Sequence, residues 1–472
     1  MVQYATTGCD LQWLLKVAII SRLVFLLLAS FINIAFEDFD SSTMIQLKDV
    51  VHHQQNNSMA LTGMATHHLL NGLNKWDSVY FNHIAANGYE YEQMLAFAPV
   101  FPYLAYFLST HITSNVHLSS IQFISILVNF ISHIIAVCIL QLLTKKLLSR
   151  TPSKPSIRDS YVVITTLAFI FNPANIFMMS SYTESFFVVV QFTICLALEC
   201  GYFKVAAFFV GISPLIRSNG LLNIIFLIYF YLKHIVHSNR LDRLGNIGEC
   251  LKPSQFLHTI RSTYKQFIVL IVLLILSITP FVIWQCHIYN TFCTIGRIAT
   301  SKDHWCNQAV PLSYSYVQSH YWNVGFLQYF RVSQLPNFLL ATPICILVFL
   351  GVNRLATADS FLSVVKWLGF KDIVETQECF TTILKLSRTF VYACHISFLT
   401  VFGIFNVHVQ ILTRMLCSSS PFVYWTVAEL LLNQNSSTPR FKKSRIIYFV
   451  FAYFILYNLL GLFLHTNFYP WT

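Results

Sequence analysis

Residues 265–288, KQFIVLIVLLILSITPFVIWQCHI, indicate the class of fold to which this chain belongs. Lys265 is the one charged residue in this stretch, and it stands at the start. About 20 consecutive apolar residues form a helix long enough to cross the hydrocarbon core of a bilayer. The stretch therefore predicts a membrane-spanning helix.

The composition of the whole chain agrees with a membrane protein. Of its 472 residues, 10% are charged and 56% are hydrophobic, and the mean hydropathy is +0.59. Soluble domains carry roughly 25% charged residues, so an ordinary soluble fold is excluded. The net charge of +11 is spread over several loops, whereas nucleic-acid binding requires a clustered basic face.

Eleven apolar runs are long enough to span, or nearly so. They lie at 13–36, 119–143, 161–178, 184–200, 203–217, 220–236, 265–288, 337–352, 391–413, 421–433 and 446–466. The first has no small-residue cleavage pattern after it and is expected to act as a signal anchor. We predict an all-α polytopic membrane protein, with residues 1–472 forming a single multi-span domain of about eleven transmembrane helices.

Basic residues set the expected orientation. Most of the 30 Lys and Arg residues lie in, or next to, four loops that fall on one side of the membrane, 144–160, 233–264, 353–390 and 434–445. Cytosolic loops are enriched in such residues, so these four are predicted to be cytosolic.

Two long loops are then predicted on the other side, the first at 37–118 and the second at 289–336. The segment 95–109 carries Pro99 and Pro102 near its start, and counting it as a span would invert every later loop. It is therefore predicted to be an interfacial or re-entrant helix. The sequon at Asn56 should be glycosylated and the one at Asn435 should not.

The first long loop contains the main candidate residues. Aromatic and acidic side chains alternate through 74–103, NKWDSVYFNHIAANGYEYEQMLAFAPVFPY, as expected for a site that binds sugar and lipid at a membrane surface. Asn74 is predicted to cap a helix that starts at Lys75. Asp77 on that helix is either a first-turn carboxylate that complements the helix dipole or a functional group.

Other polar residues lie at the ends of spans. Asp38 follows the first span, Glu184 opens a helix after Pro173, and Arg217 stands beside a tight turn. Glu184 is either a helix-start carboxylate or a ligand, and Arg217 either an interfacial anchor or a phosphate-binding group. Arg22, within the first span, is predicted to extend to the cytosolic interface.

Cysteine and histidine patterns do not indicate a metal site. Cys293 and Cys306 share the second long loop, so they can pair, but the sequence does not establish the bond. Adjacent histidine pairs lack a third ligand at metal spacing. We expect no metal and no cofactor, although a metal requirement stays open.

Several motifs together resemble one family. In chain order they are KWDSVYFNHIAANGYEYE, LAFAPVFP, NPANIFMMSSYTESFF, RSNGLLN, WCN, YWNVGFLQYF, LPNFLL and SSSPFVYW. This ordered set is similar to the PIG-V family, the second mannosyltransferase of GPI-anchor biosynthesis. The resemblance implies a GT-C-like glycosyltransferase of the endoplasmic reticulum membrane, multi-pass, with its active site facing the lumen and interfacial helices in the first lumenal loop.

The resemblance also implies a reaction and roles for residues. Mannose would pass from dolichol-phosphate-mannose to the first mannose of a GPI-precursor glycolipid, forming an α1,6 linkage with inversion. Family position points to Asp77 as the general base, with Asp38 as the rival. Arg217 is assigned to the phosphate. The other predicted substrate-binding residues are Glu184, His83, Glu92 and Trp76.

Other classes of function stay open from the sequence. A lipid or solute transporter or scramblase would also have many spans, but no internal repeat is evident and the polar residues lie at span ends. A non-catalytic scaffold and another dolichol-phosphate-sugar transferase are the remaining alternatives. The expected partners are the two lipid substrates and the membrane, with an accessory membrane subunit possible for this family and no nucleic acid.

Overall fold

The computed structural model of the chain describes residues 11–39, 70–113, 116–149, 155–244, 253–295, 304–357, 389–432 and 440–471. Within these ranges the regular structure is helical, with no strand. The all-α class predicted from the sequence is therefore confirmed. The sequons at Asn56 and Asn435 lie outside the described residues, as does most of the loop 353–390.

The described ranges contain α-helices of very different lengths. In chain order they are α1 Leu11–Ala35, α2 Asp77–Asn87, α3 Val100–Ile112, α4 Leu118–Leu148, α5 Pro155–Ile170, α6 Glu184–Cys200, α7 Phe203–Ile212, α8 Ile224–Leu244, α9 Pro253–Tyr289, α10 Ser313–Trp322, α11 Leu335–Thr357, α12 Phe390–Asn406, α13 Leu412–Ser419, α14 Phe422–Leu432 and α15 Arg440–Thr466. Short 3-10 turns occupy Glu92–Ala96, Ser213–Leu215, Ser218–Asn223, Trp305–Asn307, Val332–Gln334 and Val409–Ile411.

Helices form at all eleven apolar runs, but the count of eleven spans is not confirmed. By length and composition, six of the described helices can cross a bilayer: α1, α4, α8, α9, α11 and α15. A seventh span results if α13 and α14, which meet at an angle of 83°, are counted together. The α5, α6, α7 and α12 helices have 10 to 17 residues, about 15–26 Å at 1.5 Å per residue, and fall short of a 30 Å core.

The helix surfaces show where lipid and protein contacts lie. The α9 helix leaves large side chains such as Ile271, Ile275 and Ile283 more than half exposed, as expected for a helix that faces lipid. The α4 and α6 helices pack closely against each other, and α5, α7, α13 and α14 pack around them. The buried apolar side chains of these helices form one continuous core.

Part of the first long loop folds against this core as two short helices. The α2 and α3 helices pack against each other and against α4. With 13 residues, α3 extends about 20 Å, too short to cross the membrane. It leaves the aromatic residues Tyr103, Tyr106 and Phe107 exposed, which fits the predicted interfacial position.

A buried non-helical segment connects α5 to α6. Residues 172–183 are all buried, so their backbone groups need partners within the protein. Asn129 of α4 supplies two, because its side-chain amide donates to the carbonyl oxygens of Ser180 and Tyr182 at 2.6 and 2.7 Å. The segment is thereby held firmly at the end of the bundle where α6 begins.

Arg22 also holds this segment, and the prediction that it extends to the cytosolic interface is wrong. Its side chain is fully buried and its guanidinium donates to the Ile170 carbonyl at 2.8 Å and to the Asn175 amide oxygen. The last carbonyls of α5 lack helical partners, and the fork of donors on Arg22 supplies one.

A polar cluster joins the first and second long loops, and a disulfide lies within the second. Glu92 accepts hydrogen bonds from Trp305 Nε1 at 2.7 Å and Tyr321 Oη at 2.9 Å, and His304 Nε2 lies 2.8 Å away. Cys293 and Cys306, whose pairing the sequence left open, form a disulfide with a Cα–Cα distance of 5.6 Å. The Glu92 contacts hold the second loop over the first, and the disulfide constrains the second loop itself.

Candidate active site

Asp77 is the first residue of α2, and the residue before it has an unusual backbone. Trp76 has φ 57° and ψ −122°, a region that costs a non-glycine residue on the order of 1–3 kcal/mol. The turn is stabilised by Tyr182, whose hydroxyl accepts from the Asp77 backbone N–H at 3.2 Å and donates to the Lys75 carbonyl at 3.3 Å. The helix starts at Asp77 rather than at Lys75 as predicted, and Asn74 does not cap it.

The Asp77 carboxylate pairs with an arginine from a distant part of the chain. Arg414 on α13 places Nη1 2.7 Å from Asp77 Oδ2. The guanidinium carbon of Arg414 also lies 5.3 and 5.5 Å from the ring centres of Phe177 and Tyr182, a cation–π arrangement. The side chain of Asp77 is 34% exposed, so one face of this carboxylate is open to a ligand.

Glu184 lies behind this pair and has no exposed side-chain surface. Its Oε1 atom forms an ion pair with Arg217 and lies 3.9 Å from Nη1 of Arg414. Arg217 also donates to Thr183 Oγ1 at 3.1 Å. Since a buried carboxylate needs a charged partner, Glu184 holds Arg217 next to Asp77 and Arg414.

Asp38, the rival candidate for the base, is engaged by a lysine. Its Oδ2 atom is 2.6 Å from Lys75 Nζ, which also donates to Asn71 at 3.0 Å. Burial lowers the pKa of Lys75, and the Asp38 carboxylate opposes that shift. Lys75 is 1% exposed and Asp38 18%, so Asp38 is less accessible than Asp77.

Tyr182 links the two ion pairs through its contacts with Lys75 and Asp77. It is fully buried, and burial, reinforced by the neighbouring Asp77, raises its pKa well above the ordinary value. The hydroxyl therefore stays protonated and keeps donating to the Lys75 carbonyl. This single side chain fixes the backbone on both sides of Trp76.

Hydroxyl and amide groups surround the charged cluster. Ser218, next to Arg217, donates to Tyr314 Oη at 2.8 Å, and Asn219 donates to Ser419 Oγ at 2.7 Å. Burial raises the pKa of Tyr314, while the Ser218 hydrogen bond and the nearby guanidiniums of Arg217 and Arg414 oppose the shift. The second long loop thus brings a phenol close to both arginines.

The other predicted substrate-binding residues lie outside this cluster. His83 Nε2 is 2.8 Å from Glu90 on an accessible surface, and Glu92 belongs to the cluster that joins the loops. Trp76 packs on Phe468 with ring centres 5.7 Å apart. These contacts give no support to sugar binding by His83 or Glu92.

Sequence reasoning missed Arg414, Lys75 and Tyr182 as members of the site. Arg414 carried a signal, since it is the sole Lys or Arg between residues 389 and 439 and an isolated charge among apolar residues of a membrane protein is often functional. Tyr182 carried none, because nothing in the sequence places it beside Lys75.

Among the described residues, no three His, Cys, Asp or Glu side chains converge closely enough to hold a metal ion. What those residues do bring together is a partly open carboxylate and two guanidiniums. Such a set can accept a proton and stabilise an anion next to it.

Comparison with known proteins gives consistent matches. The profile of a family described as Mannosyltransferase (PIG-V) matches residues 11–472. GPI alpha-1,6-mannosyltransferase 2 of Cricetulus griseus is 30% identical over 97% of this chain and 98% of its own length. The human protein of the same name is 30% identical over 86% of this chain and 88% of its own length. GPI mannosyltransferase 2 of Drosophila melanogaster is 28% identical over 85% of this chain and 88% of its own length.

Among solved structures, the oligosaccharyltransferase of Archaeoglobus fulgidus in the apo form is similar at 12% identity with a TM-score of 0.39. The match covers 95% of this chain and 56% of that one, so the chain spans about half the length of that protein. Similarity at this level supports no inference about the site.

Proposed function

The chain belongs to the PIG-V family of mannosyltransferases, and on that premise we propose that it transfers mannose from dolichol-phosphate-mannose to the first mannose of a GPI-anchor precursor. The linkage formed is α1,6, as the names of the mammalian relatives state for those proteins. The reaction takes place at the lumenal face of the endoplasmic reticulum membrane. The observation that carries this proposal is the partly open Asp77 carboxylate beside Arg414 and Arg217.

In the proposed mechanism Asp77 is the general base. The acceptor hydroxyl attacks C1 of the donor mannose as the bond from C1 to the phosphate oxygen breaks, which inverts the configuration. The hydroxyl proton passes to the Asp77 carboxylate, and the bonding electrons leave with the lipid phosphate. General-base catalysis of this kind contributes typically 10²–10⁴-fold, and the open face of Asp77 gives the acceptor access.

Arg217 stabilises the departing phosphate in this proposal. Its planar fork can bind two phosphate oxygens, and Glu184 and Thr183 orient it. The role of Glu184 is then to position Arg217, because a carboxylate with no exposed surface is not open to a sugar hydroxyl.

Asp38 is assigned a positioning role rather than that of the base. Its Oδ2 atom pairs with Lys75, whose carbonyl receives the Tyr182 hydroxyl. The Asp38–Lys75 pair therefore supports the turn that presents Asp77. Asp38 is also less exposed than Asp77, 18% against 34%, so an acceptor hydroxyl reaches it less easily.

The test is mannose transfer in membranes that lack the endogenous enzyme. Wild type should convert a one-mannose GPI precursor to the two-mannose product with dolichol-phosphate-mannose as donor, and Asp77→Asn at equal abundance should lose at least 100-fold in rate. Asp159→Asn, near the start of α5 and away from the site, is the matched control and should keep wild-type activity. Failure of the wild-type protein would refute the donor or acceptor assignment, and an active Asp77→Asn would refute the base assignment.

A further inference from the structure

Arg414 has spare hydrogen-bonding capacity beside the proposed base. Within the described part of the chain, its ion-pair contacts all run through Nη1, to Asp77 at 2.7 Å and Glu184 at 3.9 Å. Its Nε is buried and has no hydrogen-bond partner there. A guanidinium carries five N–H donors, so Arg414 keeps an unused donor at Nε, and 12% of its side chain is exposed.

The two arginines of the site are held differently. Arg217 is anchored by Glu184, which is fully buried, and by Thr183. Arg414 is anchored chiefly by Asp77, whose side chain is 34% exposed, and by contacts with the faces of two aromatic rings. Ring faces impose no hydrogen-bond direction, so Arg414 can turn away from Asp77 more easily than Arg217 can leave Glu184.

The charge balance of the proposed reaction involves the contact between Arg414 and Asp77. The donor phosphodiester carries one negative charge and leaves as a phosphomonoester with two, while the base changes from carboxylate to neutral acid. One unit of negative charge therefore moves from Asp77 to the phosphate. A guanidinium that contacts Asp77 before transfer is best placed to stabilise the phosphate during it.

We propose that Arg414 is a catalytic residue that exchanges its ion pair, from the Asp77 carboxylate to the phosphate of the lipid-linked donor. Phosphate binding then releases the Asp77 carboxylate from its cation, so that Oδ2, which Arg414 occupies in this structure, is free to accept the proton of the acceptor hydroxyl. This inference rests on the function proposed above. Arg217 stays paired with Glu184 and supplies a fixed contact to the same phosphate.

The exchange predicts an effect on binding that does not depend on turnover. If Asp77 and the phosphate compete for Arg414, removing the carboxylate should strengthen phosphate binding. We expect purified Asp77→Asn to bind dolichyl phosphate up to about fivefold tighter than wild type, the scale of a partly exposed ion pair. Arg414→Gln should bind roughly tenfold or more weakly, as for loss of a charge-assisted hydrogen bond.

The double variant and the controls separate this exchange from a structural role. The double variant, Asp77→Asn with Arg414→Gln, should bind dolichyl phosphate as weakly as Arg414→Gln alone, because the gain in affinity requires the guanidinium. Arg414→Lys should have an affinity between those of Arg414→Gln and wild type. Arg354→Gln, whose guanidinium donates to the Glu429 carbonyl outside the site, should match wild type. Uncharged dolichol should bind all variants alike.

Two results would overturn the exchange while leaving the enzyme assignment intact, provided that the wild-type protein transfers mannose. The first is unchanged or weaker dolichyl phosphate binding by Asp77→Asn, and the second is unchanged binding by folded Arg414→Gln. A wild-type protein that transfers no mannose and binds dolichyl phosphate no better than dolichol would instead refute the proposed function itself. Thermal unfolding of each purified variant shows whether a binding loss reflects misfolding, and Arg414→Lys keeps the test decisive if the Gln variant is unfolded.

Discussion

The ion pair between Asp38 and Lys75 leads to a prediction that separates the two candidate bases. Asp38→Asn leaves the Lys75 ammonium, which is 1% exposed, without its counter-ion. Breaking a buried ion pair in this way costs about 3–5 kcal/mol. Lys75 keeps Asn71 at 3.0 Å and the Phe468 ring at 4.6 Å. Because these contacts together offset about 1 kcal/mol, we expect a loss of about 2–4 kcal/mol.

Removing both charges should restore most of this loss. Lys75→Met alone leaves Asp38, which is 18% exposed, and should cost about 2 kcal/mol because water partly solvates the carboxylate. In the double variant no charge is left uncompensated, and replacing a buried pair by uncharged groups is often nearly neutral. The two substitutions should therefore couple by at least about 3 kcal/mol in a double-mutant cycle.

The assay is mannose transfer by all four proteins, paired with the fraction that stays folded after heating. With Asp77 as base, the double variant should recover to within about threefold of wild type per folded molecule, because it keeps Asp77. With Asp38 as base, it would stay at least 100-fold impaired although its stability is restored. An inactive but stable double variant would refute the positioning role given to Asp38.

The pH dependence of Asp38→Asn provides an independent check. Burial already lowers the pKa of Lys75, and Asp38 opposes this shift, so removing Asp38 should lower the pKa further. A buried lysine with a lowered pKa disfavours the folded state most strongly below that pKa. The penalty decreases as the pH rises above it and disappears above the ordinary pKa that the lysine has in the unfolded chain. Asp38→Asn should therefore approach wild-type stability at alkaline pH, and a deficit independent of pH would contradict this explanation.

Three further predictions concern the elements that support the site. Arg22→Met should lose about 2–4 kcal/mol of stability and most activity, because it leaves the carbonyl and amide oxygens that Arg22 binds without a donor; Arg22→Lys should retain more of both, and equal losses would argue against these hydrogen bonds. Cys293→Ser should lower the free energy of unfolding by the same amount as Cys293→Ser with Cys306→Ser, about 3 kcal/mol for a short loop, and a reductant should abolish the difference from wild type in thermal unfolding. Gly220→Ala should reduce transfer and abundance, since its Cβ would lie 2.4 Å from the Ser213 backbone next to the Arg217 turn; wild-type behaviour would show that the turn can shift.

The hydrophobic pattern allowed much of the fold to be predicted. The run 184–200 became a helix with those bounds, and the run 265–288 forms the later part of α9, which starts earlier at Pro253. Apolar length and the absence of charge are local properties, so such runs can be found from the sequence. The number of spans was not predictable in the same way. Whether a short helix such as α7 crosses the membrane depends on its neighbours, and no property of its ten residues decides this.

The site was predictable where a residue bears a local signal. Asp77, Glu184 and Arg217 stand at helix starts or turns and were selected from the sequence, and the structure brings these three together. Arg22 was misinterpreted because its buried partners, including Asn175, are about 150 residues away in the chain. A charged side chain in an apolar run is expected to extend to water only when no such partner packs against it in the folded protein.

By itself, the sequence determined that this protein is a multi-span helical membrane protein of the PIG-V family with polar residues at the ends of its helices. Tertiary structure alone decided that Arg414 contacts Asp77 and that Lys75 engages Asp38. The physical reason is that apolar burial depends on composition along a segment, whereas an ion pair depends on which segments meet. Residues 77 and 414 meet because α2 packs on α4, α13 packs on α6, and α4 and α6 pack against each other, an outcome of the whole chain.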